Sequence, residues 1–188
     1  KDPAVKTPVK DPAALTEDEK GKVKDAVKAA NPTATNVEVG ADGTATVTFP
    51  DGSTATLAPE KTVKEADANG IKDPAVKTPV KDPAALTEDE KAKVADEVKK
   101  ANPTATKVEV GADGTTTVTF PDGSTATLTP DKTVKAATGA NDPAVKTPVK
   151  NPAALTEDEK AKVADEVKKA NPTATKVEVG ADGTTTVT

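Results

Sequence analysis

The sequence repeats itself nearly three times, and that period limits the possible folds more than any other feature. The stretch Lys107–Leu128 reads KVEVGADGTTTVTFPDGSTATL. Val108 and Val110 alternate with polar neighbours and run into Ala112-Asp113-Gly114. Thr116, Val118 and Phe120 alternate next, followed by Pro121-Asp122-Gly123 and a short run ending at Leu128. Asp-Gly between alternating runs is a strong hairpin signal, because glycine takes positive φ without a Cβ clash. The pattern predicts a three-stranded antiparallel β-meander. A near-copy lies at Asn36–Leu57, and a third begins at Lys176.

Ahead of each meander the period changes from two to that of a helix. Thr16-Glu17-Asp18-Glu19 fits a capping box, and its acidic residues suit the positive end of the helix dipole. Val23, Val27 and Ala30 fall at i, i+4 and i+7, a narrow apolar stripe repeated as Val94, Val98 and Ala101. The spacing predicts a helix over about Thr16–Ala30, stopped by Asn31-Pro32. Asp89–Lys93 and Asp96–Lys100 are expected as i,i+4 ion pairs. In the meander Val37, Val39, Ala45, Val47, Phe49, Ala55 and Leu57 share one face, and Thr44, Thr46, Thr48, Thr54 and Thr56 the other. A sheet with one apolar face needs one helix laid on it. The single aromatic of each unit, Phe49 or Phe120, is expected at the centre of a thin core.

The expected fold class is therefore α+β: tandem small repeat domains, each one helix packed on a three-stranded antiparallel β-meander, joined by Pro-bearing extended linkers. Lys1–Ala14 carries Pro3, Pro8 and Pro12 and recurs as Lys72–Ala85 and Asn141–Ala154. Proline fixes φ and pushes its predecessor to extended geometry. The segment reads as a stiff connector or an edge strand, extended either way, with Val5 or Val9 docking on its own unit. The expected domains are 1–64 (first unit), 65–72 (linker), 73–135 (second unit), 136–141 (linker) and 142–188 (third unit, which stops before the last strand of the pattern). The spacing from Asp2 to Asp73 is two residues longer than that from Asp73 to Asp142, which suits beads on a semi-rigid string better than a tight solenoid.

Composition closes off most chemistry. The chain has no Cys and no His, so disulfides, thiolate metal sites and the usual nucleophilic triads are excluded. Two Phe are the only aromatics and the net charge of −5 is spread along the chain, which argues against a nucleic-acid partner. No apolar run is long enough for membrane insertion. Asp42 and Asp51 sit in successive turns at opposite ends of a strand, too far apart to share an ion, and Glu17-Asp18-Glu19 reads as a solvated helix start. The expectation is no catalytic, cofactor-binding or metal-binding residue, no cofactor and no enzyme activity. The chain does not begin with Met and shows no sorting signal, and we read it as a piece of something longer.

The phrase Thr119-Phe120-Pro121-Asp122-Gly123-Ser124, its copy Phe49–Ser53, and the Lys-rich, Cys-free repeats resemble those of Gram-positive surface proteins of the Rib/alpha-like group; similar repeats occur in biofilm-associated and Esp-type proteins. The helix beginning Leu86-Thr87-Glu88-Asp89-Glu90-Lys91 departs from the mainly β Rib pattern. The resemblance implies an extracellular, wall-anchored stalk that carries an adhesin away from the cell. Its partners would be neighbouring repeats in the same chain. The alternative is an adhesive repeat that binds host matrix, glycan or like chains. A wall-binding repeat of a larger hydrolase is a third class. Such proteins sometimes carry Lys–Asn isopeptide bonds, but the helix-stop role accounts for Asn31 and Asn102.

Overall fold

The structure, a computed structural model, describes all residues from Lys1 to Thr188. It divides into two compact units, Lys1–Ala137 and Thr138–Thr188. The first unit contains two repeats, each with its own hydrophobic cluster.

In the first repeat the order is β1 (Thr7–Val9), α1 (Glu17–Ala30), β2 (Asn36–Val39), β3 (Ala45–Thr48), β4 (Thr54–Leu57), α2 (Pro59–Thr62) and β5 (Val63–Glu65). Helix α1 starts where the capping box demands. The Glu19 N–H donates to the Thr16 hydroxyl at 3.2 Å and the Thr16 N–H donates to the Glu19 carboxylate at 2.9 Å. Strands β2, β3 and β4 form the expected antiparallel meander. Its register pairs Val37 with Val47 and Val47 with Ala55, then Val39 with Ala45 and Ala45 with Leu57. These pairs make one apolar face, and Val23 and Val27 of α1 join Val37, Val47 and Leu57 in one buried cluster. The helix-over-sheet arrangement is thus the one the two periodicities dictate.

The Pro-bearing segment is more than a connector. Thr7–Val9 pairs in parallel with Val63–Glu65, Thr7 opposite Val63 and Val9 opposite Glu65. Pro8 has no N–H to donate, and an edge strand of this kind tolerates that. Val9 is fully buried, whereas Val5 is 74% exposed, so only one of the two candidate anchors docks. The outgoing end of the repeat is fixed by α2, which has Pro59 at its first turn, a position where a missing N–H costs nothing. Thr62, expected nowhere in the core, is fully buried and donates its hydroxyl to the Gly43 carbonyl at 2.6 Å. Gly43 sits at φ +85°, and a Cβ there would lie 2.9 Å from Val63 Cγ1. The hairpin turn and the returning chain therefore lock together over a glycine that no other residue can replace without strain.

The second repeat follows the same plan. A 3-10 turn (Asp67–Gly70) leads into β6 (Thr78–Val80), α3 (Glu88–Ala101), β7 (Lys107–Val110), β8 (Thr116–Thr119), β9 (Thr125–Leu128), α4 (Pro130–Thr133) and β10 (Val134–Ala136). β10 pairs in parallel with β6. Phe120 is 4% exposed and lies in the core as expected, but Phe49 is only partly buried and packs at the margin of the first cluster. On the helix surface the ion pairs are Lys91–Glu88 at 3.0 Å and Lys100–Glu97 at 2.5 Å, spaced i,i+3, in place of the expected Asp89–Lys93 and Asp96–Lys100. Glutamate has one more methylene than aspartate and reaches the ammonium group more easily. These pairs lie on the exposed face of the helix, where water screens them and they add little to stability.

The second compact unit holds the third repeat: α5 (Glu157–Ala170), β11 (Val177–Val179) and β12 (Thr185–Val187). β11 and β12 form a two-stranded antiparallel sheet. Leu155 and Val167 are buried, while Val163, Val177 and Val187 are only half-buried.

Candidate functional site

The side chains considered for chemistry do not converge. The turns bearing Asp42 and Asp51 cap opposite ends of β3, and each carboxylate serves its own turn. Asp42 accepts the Thr44 N–H at 2.9 Å and Asp51 the Ser53 N–H at 3.0 Å. Hydrogen bonds from Thr44 and from Ser53 hold both carboxyls below the usual aspartate range. Glu17, Asp18 and Glu19 lie in the first turn of α1, and Glu19 is committed to the cap. Asn31 does more than stop a helix. It is buried, and its side-chain N–H groups donate to the Val27 and Lys1 carbonyls at 2.9 and 2.8 Å, while its Oδ1 accepts from the Lys1 amino group at 2.6 Å. Asn102 grips the Lys72 backbone N–H and carbonyl in the same way, at 2.9 and 2.8 Å. This Asn fastens the first residue of each repeat to the helix end. Asn-Pro in the sequence signals only the stop.

Residues of the two repeats in the first unit meet at the spacer after β5. Along Glu65–Lys72 backbone groups and small side chains are taken up on both sides. Ala66 N–H donates to the Val9 carbonyl at 2.9 Å, and the Asn69 side chain donates to the Lys10 carbonyl at 2.8 Å. On the other side Asp67 N–H donates to Asp122 Oδ2 at 2.8 Å, and Ala68 N–H donates to Ser124 Oγ at 2.9 Å. Two consecutive N–H groups are left free at the start of the 3-10 turn, as at any helix start, and the Asp-Gly-Ser turn of the second repeat satisfies them. Ala68 is buried in the same hydrophobic cluster as Phe120, and Ile71 packs against that cluster. An open groove of about 960 Å³ runs along this joint, lined by Lys10, Glu19 and Lys22, by the spacer, and by Asp122–Thr127.

Asp122 is the polar centre of the joint. Its Oδ1 accepts the Ser124 N–H at 2.9 Å and the Ser124 hydroxyl at 2.5 Å, and Lys64 Nζ lies 3.5 Å from Oδ2. The side chain is 5% exposed. Burial pushes its pKa up, but the hydrogen bonds from Ser124 and from the Asp67 N–H, with the Lys64 charge, outweigh it and bring the carboxyl down to about 2. The joint therefore holds an ionised aspartate at neutral pH.

The repeats match a known domain family. Residues 1–66, 69–137 and 138–188 each match the atypical Rib domain. The chain belongs to the atypical Rib domain family. The resemblance carried by Phe-Pro-Asp-Gly-Ser to the Rib group is thereby borne out, and the repeats here are of α+β type. No curated protein sequence matches the chain. Among solved structures it is similar to the sialic-acid-binding region of the Streptococcus sanguinis SK1 adhesin bound to 3'sLn. That match has 19% identity and a TM-score of 0.34, over 76% of this chain and 68% of that one. The SrpA adhesin from Streptococcus sanguinis matches at 31% identity and a TM-score of 0.36, over 50% of this chain and 48% of that one. The GspB Siglec domain matches at 23% identity and a TM-score of 0.36, over 52% of this chain and 57% of that one. The chain thus spans about half the length of the last two. No helix is long and apolar enough to cross a membrane.

Proposed function

We propose that this chain is a spacer segment of a bacterial surface protein, one that holds an adhesin head at a distance from the cell wall. The observation that supports it best is the direction of the paired strands. In the first repeat the incoming strand β1 and the outgoing strand β5 lie side by side and run the same way, and β6 and β10 repeat this in the second. The residues before Thr7 and those after Glu65 therefore leave the pair at opposite ends. Repeats joined this way add length with each copy; a chain that doubled back would not. The docked spacer supports the same reading, since a joint with backbone hydrogen bonds on both sides resists bending. Function in this proposal is mechanical, and neither catalysis nor a cofactor enters it. Sialic-acid binding is a property of the Streptococcus sanguinis SK1 adhesin region named above.

Small-angle scattering of chains with one, two and three complete repeats tests the proposal. The maximum dimension should grow by a constant step per repeat, roughly 40 Å if the helix rise and the extended segment add, with no dependence on concentration. A dimension that saturates, or mass that rises with concentration, would favour an adhesive repeat that binds like chains.

A further inference from the structure

The two complete repeats carry the same turn, and only one of them is occupied. In the second repeat Phe120-Pro121-Asp122-Gly123-Ser124 receives the spacer through Asp122 Oδ2 and Ser124 Oγ. In the first repeat Phe49-Pro50-Asp51-Gly52-Ser53 has the same residues and the same internal geometry. Ser53 N–H and hydroxyl both donate to Asp51 Oδ1, at 3.0 and 2.6 Å. Gly52 and Gly123 share a positive φ, +80° and +82°. The internal bonds leave Asp51 Oδ2 and the acceptor side of Ser53 Oγ open. Asp51, Ser53 and Ala55 are exposed where Asp122, Ser124 and Ala126 are half-buried, and the Phe49 ring is covered less than that of Phe120.

We infer that the face formed by Phe49, Asp51, Ser53 and Ala55 is a vacant socket for the spacer of a second copy of this repeat joined in front of Lys1. The inference rests on the spacer reading and adds to it the residues that make the joint. Three observations fix the occupant. The filled socket holds an Ala-Asp-Ala-Asn segment through two consecutive backbone N–H groups and one buried alanine. The charge is complementary, with the Lys64 ammonium of the outgoing strand set against the aspartate of the socket. Finally, the start of the repeat is fastened to its helix end in the same way in both copies. Lys1 N donates to Asn31 Oδ1 as Lys72 N donates to Asn102 Oδ1. A residue joined ahead of Lys1 thus takes the place that Ile71 has ahead of Lys72 in the second repeat.

The test duplicates residues Lys1–Ile71 ahead of Lys1 in the full chain and replaces phenylalanine by its 4-fluoro form. A soluble gadolinium chelate then reports which rings are open to solvent by fluorine relaxation. The chain Lys1–Thr188 should give one open ring, Phe49, and one shielded ring, Phe120. The duplicated chain should give one open and two shielded, because the original Phe49 becomes covered. Asp67→Pro in the added copy removes one socket N–H. The backbone accepts it, since Ala66 is extended at φ −68° and ψ 137°. It should return the original Phe49 to the open class, while Asp67→Ala, which keeps the N–H, should not. A Phe49 that stays open in the duplicated chain overturns the proposal, as does shielding that survives Asp67→Pro. Shielding of Phe49 in the chain Lys1–Thr188 that grows with concentration overturns it too, because the occupant would then be a separate chain. These outcomes are independent of length per repeat: an array that fails to extend in scattering while its sockets fill would sink the spacer reading alone.

Discussion

Asp73–Thr119 and Asp142–Thr188 differ at a single position, Asp82 against Asn151, and both fold into a capped helix over a hairpin. The caps are the same bond for bond. Glu90 and Glu159 N–H each donate to a threonine hydroxyl at 3.2 Å. The interiors are not the same. Val94 is fully buried and its counterpart Val163 only half-buried; Val80 is fully buried and Val149 half-buried; Val118 is fully buried and Val187 half-buried. Thr78–Val80 is a strand, and Thr147–Val149 is not. What separates the two is the stretch Phe120–Ala136, which supplies β9, α4 and β10 in the second repeat. Helix and hairpin are encoded locally, by a capping box and an Asp-Gly turn. The strand status of the Pro-bearing segment is not local at all: β6 exists because β10 returns to pair with it.

The strongest way to break this comparison is to remove its cause. Appending the sequence of Phe120–Ala137 to Thr188 should give the third repeat a third meander strand and a parallel partner for Thr147–Val149. Three large side chains, the counterparts of Phe120, Leu128 and Val134, would be buried. At roughly 1.5–3 kcal/mol each their gross contribution is on the order of 5 kcal/mol, reduced by the entropy of ordering the added residues. Amide exchange at Val163 and Val187 should slow to the rates of Val94 and Val118. Unchanged rates would mean that the added stretch is not what closes the core.

Glycine substitution gives a second contrast. Gly114 and Gly183 both sit at positive φ, +87° and +82°. A Cβ on Gly114 would lie 3.0 Å from Val134 Cγ1, and one on Gly183 meets only Leu155 Cδ2 at an ordinary 3.7 Å. Gly183→Ala should cost about 1–2 kcal/mol for the left-handed backbone alone. Gly114→Ala should cost more, roughly 2–4 kcal/mol, because the returning chain must also give way. Equal losses in denaturant titrations would show that α4 and β10 do not press on the turn.

The same contrast of covered and uncovered surface extends to the two Asp-Gly-Ser turns. The Asp122 carboxyl titrates near 2 in the folded joint, below its ordinary value of 3.8. A lowered folded pKa means that its stabilisation is present above pH 3.8 and is lost as the pH falls towards 2. The contacts between spacer and turn should therefore loosen over that range, by about the 1.5 kcal/mol of one charge-assisted hydrogen bond. NMR shifts of the Asp67 and Ala68 amides should report it. Asp122→Asn should flatten the response, and a response that persists in that variant would assign it to another carboxylate.

How much of this was legible in the sequence follows from the same division. The capping box, the Asn-Pro stop, both hairpins and the Val stripe are signals within a dozen residues, and each marks its element to within a residue. Phe120 could be placed in the core from alternation alone. Phe49, with identical neighbours, could not be set apart from it, because the cluster that holds Phe120 also takes in Ala68 and Ile71 of the preceding spacer. The pairing of Thr7–Val9 with Val63–Glu65 joins two three-residue stretches across the whole repeat; alternation left an edge strand open for the first, but nothing in the sequence names its partner. The spacer Asp67–Gly70 looks polar and flexible in sequence because it docks through backbone N–H groups, which every residue type except proline carries. The buried Thr62 and Thr133 are similarly hidden: alternation assigns threonine to the outer face, and these two are held inside by one bond each to a glycine carbonyl.

The smallest expected effect tests whether the helices are as autonomous as the matched caps suggest. Thr87→Ala and Thr156→Ala each remove a hydroxyl that accepts the N–H of the third helical residue. Each also loosens the reciprocal bond from the threonine N–H to Glu90 or Glu159, at 2.9 Å in both repeats. The loss should be about 1 kcal/mol, and it should be the same in the second and third repeats although their cores differ. Native-state exchange of the Lys91 and Lys160 amides, the first to close onto the cap threonine carbonyls, reads the two losses side by side. A clearly larger loss for Thr156→Ala would mean that the third helix depends on its cap to hold a half-open core. Equal losses would place the helix terminus among the features that a fourteen-residue segment sets for itself, whatever packs against it.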